Sequence, residues 1–218
     1  MNNHEYYMRL ALKLAQKGRG FVSPNPLVGA LIVKDGQIIG RGYHQRYGDH
    51  HAEVNAFQDA GKNVAGATLY VTLEPCCHKG KTPPCVDSIL EHKIKRVIIG
   101  AVDSNPLVSC QGINYLQSKG IEVITGILEQ ECRKLNEVFF HYMETGLPFV
   151  TLKYAQTLDG RIATATGQSK WISSPAAIKF AHRLRAEHDA ILVGSGTVLH
   201  RVTGTNQYGV GGPRQVAV

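Results

Sequence analysis

Residues Thr68–Ala101 read TLYVTLEPCCHKGKTPPCVDSILEHKIKRVIIGA. The apolar run 68–73 predicts a strand, and a loop rich in proline, glycine, cysteine and lysine follows it over 74–84. Residues 85–92 predict a short helix, and residues 96–101 predict a second apolar strand. Strands that alternate with helices from residue 68 onward predict an α/β domain with helices on both faces of its sheet.

The sequence on either side extends this pattern. We predict a helix over residues 5–17, which Gly18 ends, and a hairpin that turns at Asp35-Gly36. The other predicted elements of this domain, residues 1–146, are strands 27–33, 37–43 and 121–125 and helices 51–60, 111–119 and 129–143.

A second segment follows the boundary sequence Thr145-Gly146-Leu147-Pro148. Over 147–200 we predict a strand at 149–155, a helix at 174–187 with Ser174 as its N-cap, and a strand at 189–194. About 50 residues are too few for an independent core. The glycine-rich tail 201–218 has no hydrophobic periodicity, and we expect it to be disordered.

The amino-acid composition is that of a globular protein. Hydrophobic residues make up 43% of the 218, which is typical of a globular chain, and no apolar run reaches the roughly 20 residues of a membrane helix. The N-terminus does not resemble a signal peptide, so we expect a cytoplasmic location without a membrane partner. A net charge of +7 is compatible with an anionic partner such as a phosphate ester.

Four residues form the pattern of a zinc-dependent hydrolytic site. His51 lies at the start of a predicted helix, Cys76 follows a strand, and Cys85 opens the next helix. One imidazole and two thiolates leave the fourth position on Zn²⁺ open for water, whose pKa the metal lowers towards about 7. Glu53, two residues from His51, can stand beside the metal and move a proton from water to leaving ammonia.

The remaining cysteines leave an alternative open. Cys77 or His78 could complete a closed structural zinc site, although Glu53 would then have no role. An odd count of five cysteines disfavours a disulfide framework. We interpret Cys77 as a loop residue, and Cys110 and Cys132 as core thiols.

Longer motifs identify a family. They are PNPLVG at 24–29, GYH at 42–44, HAE at 51–53, TLEPCCHKGKTPPC at 72–85 and DSNPLV at 103–108. On these the chain resembles the bifunctional pyrimidine deaminase/reductase family of riboflavin biosynthesis, in which eight residues also separate the two cysteines. The resemblance implies a cytidine-deaminase-like α/β/α domain with a mixed sheet, followed by a partial dihydrofolate-reductase-like α/β segment. It covers residues 1 to about 200, and Cys110 stands where the family usually has glycine.

The resemblance also implies a small-molecule substrate, 2,5-diamino-6-(5-phosphoribosylamino)pyrimidin-4-one, one Zn²⁺ per chain and self-association. For Asn25 it implies a hydrogen bond to the pyrimidine, although a turn role competes equally. It implies that His44, His78 and Lys81 gather around the ribose phosphate, although such side chains are often only solvated. Asp103 is a further substrate-binding position by resemblance.

In the second segment, the resemblance implies a reductase that uses NADPH. Ala155, Trp171 and Thr197 match cofactor positions, and Ser169 and Arg185 match substrate positions. The match fails after Leu199, and Gly209–Gly212 is not followed by a predicted helix that could hold phosphate. We therefore expect a truncated or frameshifted reductase without activity.

Two other functions remain open. A nucleic-acid base deaminase would share His51, Glu53 and the cysteines, but four glutamates within 129–145 and a 7% aromatic content disfavour a nucleic-acid partner. A non-catalytic fragment stabilised by zinc would expose an uncovered sheet edge.

Overall fold

The computed structural model describes residues 3–77, 83–105, 109–169, 171–195 and 215–217. The chain divides into two compact units, Met1–Phe149 and Val150–Val218. We call them the first and the second unit. The domain limits predicted from sequence stay predictions.

The first unit contains five strands and six α-helices within its described residues. The strands are β1 (Gly29–Lys34), β2 (Gln37–Tyr43), β3 (Thr68–Leu73), β4 (Arg96–Ala101) and β5 (Glu122–Ile124). The helices are α1 (Asn3–Ala15), α2 (Ala52–Ala60), α3 (Cys85–Glu91), α4 (Gln111–Ser118), α5 (Glu129–Leu135) and α6 (Glu137–Thr145).

The five strands form one mixed sheet in the order β2-β1-β3-β4-β5. Strand β1 runs antiparallel to both of its neighbours, whereas β3, β4 and β5 are parallel to each other. Successive residues of β3 and β4 face opposite sides, so that Leu69 and Val97 lie in one core cluster while Tyr70 and Ile98 lie in the other. This confirms the predicted mixed sheet.

Each face of the sheet is covered by helices. Helices α2, α3 and α4 contribute Ala52, Ile89 and Leu116 to the first cluster. Helices α1, α5 and α6 contribute Met8, Cys132 and Phe140 to the second. The predicted three-layer arrangement is therefore correct. No helix in the described part of the chain is long and apolar enough to cross a bilayer.

The helix predicted over 129–143 is two helices, because Asn136 interrupts it with φ −112° and ψ 28°. The Asn136 side chain binds the backbone of Leu27: its Oδ1 accepts from the Leu27 N–H at 2.7 Å, and its Nδ2 donates to the Leu27 carbonyl at 2.8 Å. Because the buried Asn136 amide pairs with both the N–H and the carbonyl of Leu27, it stabilises the break between the two helices.

The second unit contains α7 (Pro175–Ala186) and a parallel pair, β6 (Ala190–Leu192) with β7 (Gln215–Ala217). Ser174 caps α7 as predicted, since its Oγ accepts from the Ala177 N–H at 3.3 Å. The strand predicted at 149–155 is absent, and Val150 and Leu152 are each 82% exposed. Strand β7 also departs from the expectation of a tail without regular structure, while residues 201–214 and 218 lie outside the described residues.

Candidate metal centre

The three side chains predicted as metal ligands lie together at one end of the sheet. His51 directly precedes α2, and its Nδ1 lies 3.1 Å from Cys85 Sγ and 3.5 Å from Cys76 Sγ. The three ligand atoms all lie within 4.8 Å of one another. Cys76 follows β3, and Cys85 is the first residue of α3.

These distances fit a tetrahedral zinc ion. Zn–S and Zn–N bonds of ordinary length separate a thiolate sulfur from an imidazole nitrogen by about 3.6 Å. The sulfur of Cys76 also accepts from the Cys85 backbone N–H at 3.4 Å. The pKa of Cys76 is lowered, chiefly because the Cys85 thiol hydrogen-bonds to it, with His51 adding to the effect. The pair therefore gives up one proton readily, as a zinc ligand must.

Glu53 lies in the first turn of α2 and is only 3% exposed. Burial raises its pKa to about 7, and the negative charge of Cys76 adds to that rise. The carboxyl group also hydrogen-bonds with Cys85, although its oxygens are not among the three clustered ligand atoms. A carboxyl group that titrates near neutrality beside a metal site is suited to proton transfer.

Two glycines of β2 place α2 close to the sheet. A Cβ atom on Gly42 would lie 2.1 Å from the Ala52 carbonyl oxygen and 2.4 Å from the Ala56 nitrogen. A Cβ atom on Gly40 would lie 2.4 Å from the Ala56 carbonyl oxygen. Only glycine permits this approach, which sets the position of His51 and Glu53.

Asn25 and His44 form a pair beside the predicted metal ligands. Asn25 Nδ2 lies 3.1 Å from His44 Nε2, and His44 Nδ1 lies 3.1 Å from the His50 carbonyl oxygen. Because a carbonyl only accepts, Nδ1 carries the proton and Nε2 accepts from Asn25. The His44 ring meets the His51 ring edge-on at 5.5 Å, and burial lowers the pKa of His44. Their contacts with a substrate stay predictions.

The other predicted substrate residues divide into two groups. Asp103 is 8% exposed, and its Oδ1 accepts from the Asn105 N–H at 2.8 Å. Its own backbone N–H donates to Glu74 Oε2 at 3.3 Å. His78 and Lys81 lie outside the described residues.

Two residues that hold the site in place have no role in the sequence prediction. Glu74 is 4% exposed and Asn136 is 5% exposed, and both bind backbone groups distant in sequence. In the sequence, Glu74 could have been noticed as an acidic residue that follows an apolar strand and precedes the predicted metal ligand Cys76 by two positions. A signal for Asn136 is a helix-disfavouring residue at the centre of a predicted helix.

The cysteines outside the cluster differ from each other. Cys132 is fully buried, which confirms the prediction of a core thiol. Cys110 is exposed, so that the same prediction for Cys110 is wrong. Cys77 is half-buried and directs its thiol towards Gln111 Oε1 at 3.8 Å.

The residues predicted for a reductase lie in the second unit. Trp171 is 74% exposed and lines an open groove with Gln156 and Leu158. Ser169 and Arg185 are exposed, and Ala155 is half-buried. Thr197 lies outside the described residues. Their roles stay predictions.

Comparison with known proteins finds two family matches along the chain. Residues 1–101 match the family described as the cytidine and deoxycytidylate deaminase zinc-binding region, and residues 148–217 match the RibD C-terminal domain. The chain is 55% identical over 193 residues to the riboflavin biosynthesis protein RibD of Aquifex aeolicus, covering 88% of this chain and 54% of that protein. It is 51% identical over 195 residues to RibD of Escherichia coli, covering 89% of this chain and 53% of that protein.

A solved structure is also similar. The diaminohydroxyphosphoribosylaminopyrimidine deaminase/5-amino-6-(5-phosphoribosylamino)uracil reductase of Thermotoga maritima is 48% identical to this chain, with a TM-score of 0.91. The match covers 98% of this chain and 62% of that one. The chain therefore spans about half the length of the curated relatives it matches.

Proposed function

We propose that this chain belongs to the family of the riboflavin biosynthesis protein RibD, to which it is similar over the residues that match, and that its first unit is a zinc-dependent hydrolytic deaminase. The proposed substrate is 2,5-diamino-6-(5-phosphoribosylamino)pyrimidin-4-one. The observation that carries the proposal is the cluster of His51, Cys76 and Cys85, with the buried carboxyl group of Glu53 beside it.

The reaction replaces an exocyclic amine with a carbonyl group. Water adds to the ring carbon that bears the amine, the carbon–nitrogen bond breaks, and ammonia leaves with the proton it needs. His51, Cys76 and Cys85 would hold Zn²⁺, which when bound supplies a water of lowered pKa at neutral pH. The protein must then move protons between that water, the ring and the amine.

Glu53 carries out this proton transfer in the proposal. Its carboxylate accepts the proton of water and donates it to the ring nitrogen. It then takes the proton of the added hydroxyl group and passes it to the amine, so that a carbonyl group forms and ammonia leaves. Burial favours the protonated form of this carboxyl group more than in water, which helps the same group to accept and then donate a proton. Its burial keeps bulk water from exchanging with the transferred proton.

Asn25 and His44 are proposed to orient the pyrimidine. With Nδ2 of Asn25 donating to His44, the Asn25 Oδ1 is available to accept an N–H group of the substrate. Both ring nitrogens of His44 are engaged, by Asn25 and by the His50 carbonyl, so that its proposed part is to hold Asn25. Of the three phosphate contacts that the resemblance implies, His78 and Lys81 keep that role in the proposal, whereas His44 is assigned to Asn25 instead because both of its ring nitrogens are hydrogen-bonded.

Ammonia release from the phosphoribosylated diaminopyrimidine tests the proposal. Glu53→Gln should retain zinc and lose at least about a hundredfold in kcat, because it cannot transfer a proton. Glu91→Gln is the matched control, since Glu91 is an exposed residue at the far end of α3. Full activity of Glu53→Gln would contradict the mechanism. Comparable rates on cytidine, deoxycytidylate or tRNA would contradict the substrate.

For the second unit we propose that residues 150–218 do not by themselves form a working NADPH site. The support is that none of its described residues within 150–195 is buried, and that Trp171 is largely exposed. A titration of the chain with NADPH, followed by cofactor fluorescence, should show no saturable binding. Oxidation of NADPH in the presence of the deaminated product would contradict this proposal.

A further inference from the structure

Glu74 lies between strand β3 and the metal-ligand residue Cys76, and four backbone N–H groups converge on its carboxylate. Oε2 accepts from Asp103 at 3.3 Å and from Cys110 at 3.0 Å. Oε1 accepts from Gly112 at 3.1 Å and from Ile113 at 3.3 Å. All four donors are distant in sequence, and the carboxylate is almost fully buried.

Three of these four donors belong to the beginning of helix α4. The first N–H groups of a helix have no partner inside the helix, and the residue before it usually supplies one. Cys110 precedes α4 and makes no side-chain cap. Glu74 supplies the missing acceptor from a different part of the chain, and it also binds the backbone of Asp103 with the same oxygen that binds Cys110.

The beginning of α4 also packs directly against the segment that leads to the metal ligand. A Cβ atom on Gly112 would lie 2.3 Å from the Pro75 carbonyl oxygen. Pro75 separates Glu74 from Cys76. The backbone of α4 therefore contacts Pro75. This residue joins Glu74, whose carboxylate binds the Asp103 N–H, to the proposed metal ligand Cys76.

We propose that Glu74 is a positioning residue for the deamination: it holds Asp103 and the first turn of α4 in register with the metal ligand Cys76. The inference rests on the proposed function, in which Asp103 contacts the substrate. Four N–H donors need two acceptor oxygens, and only an ionised carboxylate provides both without a donor of its own. An amide at this position would turn an NH₂ group towards two backbone N–H groups.

A purely structural role predicts a different result from a positioning role. If Glu74 only stabilises the fold, Glu74→Gln lowers the unfolding midpoint while folded, zinc-loaded protein keeps its KM. If it positions Asp103, KM rises in protein that is folded and loaded. We expect KM for the phosphoribosylated substrate to rise about tenfold, equivalent to about one lost substrate hydrogen bond. We expect zinc content to stay at the wild-type level and kcat to change less than KM.

The experiment compares Glu74→Gln with Asp59→Asn, measuring zinc per chain, kcat and KM below the unfolding temperature of each variant. Asp59 is a matched control because its Oδ2 also accepts a backbone N–H, that of Arg41 at 2.8 Å, away from the metal ligands. Combining Glu74→Gln with Asp103→Asn should raise KM by less than the product of the two separate effects, because both act through one contact. The proposal would be overturned if Glu74→Gln left KM unchanged or lost zinc. It would also be overturned if the double variant raised KM by the full product of the two separate effects.

Two further measurements keep the test informative. If Glu74→Gln does not fold, Gly112→Ala should raise KM in the same direction, because its Cβ forces α4 away from Pro75; an unchanged KM there would overturn the proposal. Amide hydrogen exchange at Cys110, Gly112 and Ile113 should accelerate in Glu74→Gln, whereas exchange in α2 should not. If the wild-type chain releases no ammonia, the proposed function fails. The exchange rates still report whether Glu74 holds α4, and unchanged rates would overturn the proposal.

Discussion

At the scale of single residues, Cys110 has a left-handed backbone, with φ 59° and ψ −3°. This conformation turns its N–H group towards Glu74 and exposes its side chain. It explains why glycine, which the resemblance implies at this position, would suit it, since a side chain in this region costs about 1–2 kcal/mol. The sequence alone indicated the departure from glycine but not its geometry.

Cys110→Gly should stabilise the chain. Relief of the left-handed strain outweighs the added freedom of glycine in the unfolded state, and we expect a net gain of about 0.5–1 kcal/mol. Urea unfolding should show a higher midpoint with an unchanged slope. Cys110→Ala is the control, because it removes the thiol and keeps the strain. An equal gain in both variants would attribute the effect to the thiol instead.

Cys132 should be chemically inert in the folded protein. Its side chain is fully buried, and a Cβ on Gly100 of β4 would lie 2.3 Å from its sulfur. Burial raises the pKa of Cys132 to about 12, so that almost no thiolate exists at pH 8. We expect maleimide at pH 8 to label Cys110 rapidly and Cys132 only after unfolding in urea, as measured by peptide mass spectrometry. Labelling of Cys132 at the rate of Cys110 in native protein would contradict this.

The same shift in pKa links Cys132 to alkaline stability. The folded state keeps the thiol proton to higher pH than the unfolded state does. Its contribution to stability is therefore present below about pH 9 and is lost as the pH rises towards about 12.

At the scale of elements, the break between α5 and α6 depends on the paired hydrogen bonds between Asn136 and Leu27. Asn136→Asp keeps an acceptor for the Leu27 N–H but removes the donor to its carbonyl and buries a charge. We expect a loss of about 2–3 kcal/mol of unfolding free energy, measured by urea denaturation. Asn63→Asp is the control, since Asn63 only accepts from the exposed Lys34. Equal effects of both variants would refute the role of the pair.

The elements also indicate what local sequence can predict. The bounds of β3 and β4 are as predicted, because buried apolar runs bounded by polar loops determine them. The split at Asn136 depends on a contact with a residue 109 positions away, which helical periodicity does not contain. The segment 149–155 has residues suited to a strand, but it pairs with none of the described strands and forms no strand itself.

In the candidate site, too, some features can be predicted from local sequence and others depend on distant contacts. The spacing of His51, Cys76 and Cys85 and the nearby Glu53 predicted which side chains the fold brings together. The capping of α4 by Glu74 was not predicted, because it joins segments through backbone N–H groups that every residue type shares.

At the scale of the whole molecule, the two units differ in how much they bury. The first unit contains both core clusters, whereas none of the described residues in 150–195 is buried. Large apolar side chains of the second unit are exposed, among them Leu152, Leu158 and Phe180. The small size of this segment predicted such a weak core.

Residues 1–149 should therefore be as stable as the full chain. We expect the thermal midpoint to change by no more than about 2 °C, since little buried surface is removed. Zinc content should be retained, and solubility should rise because exposed apolar surface is lost. Calorimetry and light scattering of 1–149 against 1–218 provide the measurement. A midpoint that falls by ten degrees or more would show that the second unit supports the first.

The bond between Asn136 and Leu27 has a consequence for the order in which the protein matures during synthesis. Leu27 leaves the ribosome 109 residues before Asn136 does. Asn25 lies two positions before Leu27, so the turn that contains both is made long before Asn136 is available. Domains generally fold as units as they emerge. The turn that carries Asn25 can therefore reach its final form only after the α5–α6 junction has been made. The turn that carries Asn25 is thus made well before the α5–α6 junction, yet it is fixed only when that junction forms.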